Sequence, residues 1–117
     1  MTAELILSLQ KAVDFFDSAC EQLESPDDYD VLILDTYFKR CFELALAVMQ
    51  NTPKESPEVI INHAYSKHLI SDRELWFTMS KAHSSSLSTV TAANQYLAEF
   101  KYLIKRIDPV SYTHLRA

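Results

Sequence analysis

A chain of 117 residues has the length of one domain and leaves no room for two. Hydrophobic residues make up 48% and charged residues 23%, a globular composition that is too apolar for a disordered chain. Glycine is absent, where average usage would give about eight, so a Gly-rich phosphate loop, a dinucleotide fingerprint and a Gly-containing nucleophile elbow are excluded. The usual residue of tight hairpin turns is missing too, which points to an all-helical fold. The net charge of −5 argues against a broad nucleic-acid footprint, though it leaves room for a local basic patch.

The two cysteines, Cys20 and Cys41, show no metal-ligand spacing. Both fall inside helical patterns and are expected as small buried hydrophobes of a reducing compartment. The N-terminal MTAELILSLQ lacks the basic flank and long apolar run of a signal peptide. No stretch approaches the roughly 18 apolar residues of a membrane span. The expectation is a soluble, cytoplasmic protein with no membrane contact.

Residues 3–24 predict a long helix. Leu5, Leu9, Ala12, Phe16, Ala19 and Leu23 recur at steps of 4, 3, 4, 3, 4 and lay one apolar stripe along it. Ser25-Pro26-Asp27-Asp28 breaks the pattern. Residues 29–51 predict a second long helix, with Val31, Leu34, Phe38, Cys41, Ala45 and Val48 as its stripe. Leu32, Tyr37, Leu44 and Met49 widen that stripe, so this helix is expected to meet two neighbours, or a neighbour and a second subunit.

Ser56-Pro57-Glu58 is a helix start, with Ser as N-cap, Pro in the first turn and an acid at the positive end of the dipole. That helix carries Val59, Ile60 and Ala64 and is expected to end near His68. Ser71, with Glu74 three residues on, predicts a capping box for a short helix containing Leu75, Trp76 and Met79. His83-Ser84-Ser85-Ser86 reads as a polar connector. Residues 89–107 predict the last helix, with Ala93, Leu97, Phe100, Ile104 and Ile107 on one face. The fold class is all-α, an antiparallel bundle of four to five helices in one domain spanning residues 1–108.

Generic chemistry finds little support. His63, His68, His83 and His114 do not make a metal site, because His63 and His68 are five apart and point to different helix faces. His83 beside Ser84, Ser85, Ser86 and Ser88 is no triad without an orienting third group and an oxyanion hole. Asp14 and Asp17 offer a carboxylate pair that reads more simply as a solvated face. Lys101, Lys105 and Arg106 complement the dipole at the end of the last helix, and alternatively form a small patch for RNA or nucleotide phosphate. No cofactor is expected.

One ordered set of residues goes beyond generic helices. Tyr37-Phe38 and Phe42-Glu43-Leu44-Ala45 are followed by Ser56-Pro57-Glu58-Val59-Ile60, then Ala64, Leu69-Ile70, Asp72, Trp76 and Met79. Over about residues 5–107 this order resembles the nucleotidyltransferase substrate-binding protein family, whose pattern runs through E-L-A-W, S-P-R-x-x-I-R-x-A, G-L-I-x-D and W-x-x-M-L. That family is similar to the HEPN superfamily of four- or five-helix bundles. The resemblance implies a homodimer that binds a minimal nucleotidyltransferase, in a toxin–antitoxin-like arrangement.

The departures bear on chemistry. Beyond W-x-x-M the family continues L-x-x-R-N-x-T-S-H-x-Y. Its Arg falls on His83, its Asn on Ser84, its Thr on Ser86, its His on Ser88 and its Tyr on Val90. In ribonuclease members the Arg and His of an Arg-x-x-x-x-His motif act on RNA. Ser88 cannot serve as general acid or base near neutral pH, and His83 lacks the guanidinium fork that clamps phosphate. The family glycine before L-I is His68, and the Trp after E-L-A is Leu46. The expectation is a non-catalytic partner subunit whose degenerate site comprises His83, Ser84, Ser86 and Ser88. The alternatives are a HEPN-type ribonuclease toxin with a remodelled site and a generic helical interaction module. Residues 109–117 are expected as a disordered or artefactual tail, since VSYTHLRA resembles translated adapter or cloning sequence.

Overall fold

The computed structural model describes residues 3–22, 27–50, 52–84 and 90–107. Among these, five α-helices follow one another: α1 (Ala3–Glu21), α2 (Asp28–Met49), α3 (Pro57–Ser66), α4 (Arg73–His83) and α5 (Ala93–Ile107), the last preceded by a 3₁₀ turn at Val90–Ala92. No strand occurs among the described residues. The all-α bundle read from the sequence is the fold. The tail at 109–117 lies outside the described residues, as do 23–26 at the end of the first predicted helix.

The helix starts follow local chemistry. Asp27 opens α2 with a reciprocal pair: its Oδ1 accepts from the Asp30 N–H at 2.8 Å, and its own N–H donates to Asp30 Oδ2 at 3.3 Å. Ser56 caps α3 by accepting from the Val59 N–H, with Pro57 at the first helical position. The α4 cap is one residue later than expected. Asp72, not Ser71, accepts the Leu75 N–H at 3.1 Å. Ser71 instead donates to Glu99 Oε2 at 3.2 Å, so the Ser71–Glu74 capping box does not form. The carboxylate is the stronger acceptor for an orphan N–H.

A chain without glycine must fill left-handed backbone positions with other residues. Among the described residues these are Lys54 (φ 133°), in the turn before α3, and His68 (φ 61°). At His68 the reason is visible. The Leu69 N–H bonds the Ala64 carbonyl at 2.9 Å and the His68 N–H bonds that of Tyr65 at 3.1 Å, the pair of a Schellman turn. This turn ends α3 at Ser66, before the expected His68. The Arg106 Nε donates to the His68 carbonyl at 3.0 Å and ties the turn to α5.

The core is aromatic. Phe16 of α1, Phe38 and Phe42 of α2, Trp76 of α4 and Tyr96 and Phe100 of α5 are all buried. Phe100 meets Phe16 edge-on at 5.9 Å and Trp76 at 5.7 Å, and Phe38 stacks on Tyr96 at 5.0 Å. Ile60, Ile61 and Ala64 bring α3 into the same core. On α1 the buried face centres on Leu9, Val13 and Phe16, while Leu5, Ala12 and Ala19 are half-buried, because α1 packs against both α2 and α5.

The helix α2 accounts for its own breadth. It packs against α1, α3, α4 and α5, so Leu44 and Met49 are buried and Tyr37 is half-buried within one chain. Among the described residues, Leu32 is the member of the widened stripe that no neighbour within the chain covers. It stands on the side of α2 away from the core and is 62% exposed.

Candidate functional site

The residues carried by the resemblance sit at the end of α4. His83 is the last residue of that helix. Its ring centroid lies 5.3 Å from that of Phe42, and its Nε2 lies 3.5 Å from Glu43 Oε2. The imidazole is one-third exposed and Glu43 more so, so the pair lies at the surface with one side of the ring covered by Phe42. Helical geometry on α2 makes this arrangement: Phe42 faces inward and its neighbour Glu43 outward, and His83 reaches both.

Ser84 is not a candidate nucleophile. It caps α4, with its N–H on the Ser80 carbonyl and its hydroxyl donating to the carbonyls of Ser80 and Lys81, each at 3.2 Å. The hydroxyl thus satisfies orphan carbonyls at a helix end. Ser86 and Ser88 lie outside the described residues. The described part of the site therefore holds one titratable ring and one carboxylate, both able to exchange protons and accept or donate hydrogen bonds.

The other candidate groups disperse. The Nδ1 of His63, in the last turn of α3, lies 3.4 Å from Glu55 Oε2, while His68 sits in the turn that follows the helix. Among the described residues no group of three His, Cys, Asp or Glu side chains is arranged to hold a metal ion. Asp17 pairs with Lys101 at 2.8 Å and Asp14 stays exposed, so the two carboxylates do not work on a common target. The basic end of α5 also divides. Lys101 leans to α1, Arg106 anchors the His68 turn, and Lys105 remains exposed. Lys105 and Arg106 lie in the last turn of α5, where the dipole reading expects cations, and Lys101 and Arg106 make these two specific contacts besides.

Glu43 was visible as the acid of the E-L-A pattern but not as a site residue, since it is forty residues from His83. Its place on the outer face of α2, next to a core phenylalanine, brings it there. Burial raises both thiols. Cys41, fully buried, is pushed up to about 12, first by desolvation and then by the neighbouring Cys20. Cys20, half-buried, rises to about 11 through burial and then the Asp17 carboxylate. Both cysteines are unpaired.

The fold and site define a small helical-bundle protein with a surface His–Glu pair at the end of its fourth helix. No protein-family model, curated protein or solved structure matches the chain. No helix among the described residues is long and apolar enough to cross a membrane.

Proposed function

We propose that the chain is a non-catalytic, cytoplasmic partner subunit of a minimal nucleotidyltransferase, toxin–antitoxin-like in arrangement and homodimeric. The observation that carries this reading is the turn between α3 and α4. The resembled pattern G-L-I-x-D places glycine at position 68, and His68 takes the left-handed backbone that glycine adopts most easily. Asp72, the acid of the same pattern, caps α4. Trp76 and Met79 of W-x-x-M are both fully buried. The backbone at position 68, the cap at Asp72 and the burial of Trp76 and Met79 thus suit the residue types that the pattern has at these positions.

Ser88 and the capping role of Ser84 leave His83 as the one acid–base group of the degenerate motif. Exposed Phe15, Tyr29 and Leu32 on α1 and α2 supply apolar surface for protein partners. The reading requires a small nucleotidyltransferase in the adjacent reading frame, and co-expression with it tests the proposal: the two chains co-purify, and absence of such a neighbour or failure to co-purify removes the proposal.

A second reading, a ribonuclease with a remodelled site, has one observation in its favour. Glu43 stands where it can orient the His83 imidazole. RNA cleavage by the purified protein, abolished in His83→Ala, is required for it. An inert protein dismisses it.

A further inference from the structure

The basic end of α5 belongs neither to the His83–Glu43 pair nor to the exposed apolar residues of α1 and α2. Between Ala12 and Phe38 the sequence holds eight acids and no Lys or Arg, whereas from Val59 to Ala117 it holds seven Lys and Arg against four acids. An acidic protein thus carries a C-terminal half of opposite sign. On α5 the buried face takes Ala93, Tyr96, Leu97, Phe100, Leu103 and Ile104. The opposite face presents Asn94, Gln95, Ala98, Tyr102, Lys105 and Arg106, all exposed.

Among the described residues of α5 no carboxylate interrupts that face. Glu99, the one acid of α5, accepts from Trp76 Nε1 and Ser71 Oγ at the helix edge. Tyr102 precedes Lys105 and Arg106 by three and four residues, so the ring and both cations share one side of the helix. The bond from Arg106 Nε to the His68 carbonyl holds the guanidinium in place and leaves its remaining N–H groups for other acceptors.

We infer that the outer face of α5 binds single-stranded nucleic acid, with Tyr102 as the stacking platform for a base and Lys105 and Arg106 on the flanking phosphates. An aromatic ring beside clustered cations is the arrangement that holds a single strand without sequence preference. The amides of Asn94 and Gln95 extend the face with donors and acceptors for sugar and base edges. The acidic α1–α2 region repels the same strand and confines it to α5. The binding face lies outside the surface proposed for the partner subunit, and the two share only the His68 turn, whose carbonyl holds Arg106.

The test is fluorescence anisotropy of a short labelled single-stranded RNA titrated with the full chain at low ionic strength. Saturable binding is expected. Tyr102→Ala weakens it about tenfold, and Tyr102→Trp, which keeps a stacking ring, restores it. Lys105→Ala weakens binding and flattens the log–log salt dependence by about 0.7, the loss of one phosphate contact on a single strand. Lys39→Ala, an exposed cation on α2, leaves binding unchanged. Absence of saturable binding overturns the inference, as does equal affinity in Tyr102→Ala, or equal weakening by Lys39→Ala. A polyglutamate peptide bound as tightly as RNA and lost with Lys105→Ala assigns the face to acidic protein segments, and also overturns it.

Discussion

The indole N–H of Trp76, a fully buried side chain on α4, donates to Glu99 Oε1 of α5 at 3.1 Å. Ser71 occupies the other carboxylate oxygen at 3.2 Å. One acid on an otherwise apolar helix edge thus satisfies the only polar atom of the largest core side chain. Replacing Glu99 with Ala leaves the indole N–H unpaired and is expected to destabilise the fold by about 1–3 kcal/mol. Glu99→Gln, which keeps an acceptor, loses less. Urea unfolding of the two variants checks the order.

The left-handed His68 makes a prediction of the opposite sign. A side chain bearing Cβ is disfavoured there by about 1 kcal/mol relative to glycine. His68→Gly is therefore expected to stabilise the protein and raise Tm by about 4 °C, because the Schellman bonds and the Arg106 contact use backbone atoms that the substitution keeps. Thermal unfolding followed by circular dichroism reads the shift.

Cap register separates two neighbouring residues. Asp72→Ala removes the acceptor of the Leu75 N–H and is expected to destabilise by about 1 kcal/mol. Ser71→Ala leaves the cap intact and removes a hydrogen bond to Glu99, whose other oxygen keeps the indole, so its effect is smaller. Equal losses in the two variants, measured by denaturation, contradict the assignment of Asp72 as the cap.

Thiol chemistry tests the burial of α1 and α2. With Cys20 raised to about 11 and Cys41 to about 12, both are protonated at pH 8, with thiolate fractions of roughly one in a thousand and one in ten thousand. Cys20 is expected to react with a thiol reagent slowly. Cys41 reacts only when the fold opens, and reactivity rises with pH for both. Mass spectrometry of the labelled native protein distinguishes the sites, and rapid modification of Cys41 contradicts its placement.

Periodicity made the helices and most of the core legible. The stripe Leu34, Phe38, Cys41, Ala45 and Val48 is buried as spacing requires, because a 3.6-residue repeat leaves the chain few other ways to cover those side chains. Leu32 and the shared burden of α2 were not legible. An apolar residue beside the stripe looks the same whether it meets a neighbour or water, and only the packing of α1, α3, α4 and α5 around α2 decides. The same limit explains the site. His83 was visible in the sequence order, but Glu43 and Phe42 reach it through tertiary packing alone. Ser71 was misassigned because a serine followed by Glu at the third position and an Asp one step later satisfy the same capping pattern.

The breadth of α2 is consumed inside the chain, so the proposed protein partner is expected on apolar side chains left outside, among them Phe15, Tyr29 and Leu32, which are 58%, 69% and 62% exposed. Light scattering coupled to size exclusion, run on the chain alone, mixed with a minimal nucleotidyltransferase of the class proposed as its partner, and with Phe15→Ser/Leu32→Ser in its place, measures this directly. The account predicts a dimer alone, a heavier joint complex with the transferase, and loss of that complex in the double variant while its circular dichroism is unchanged. A single chain of 13.4 kDa that elutes unaltered beside the transferase contradicts it.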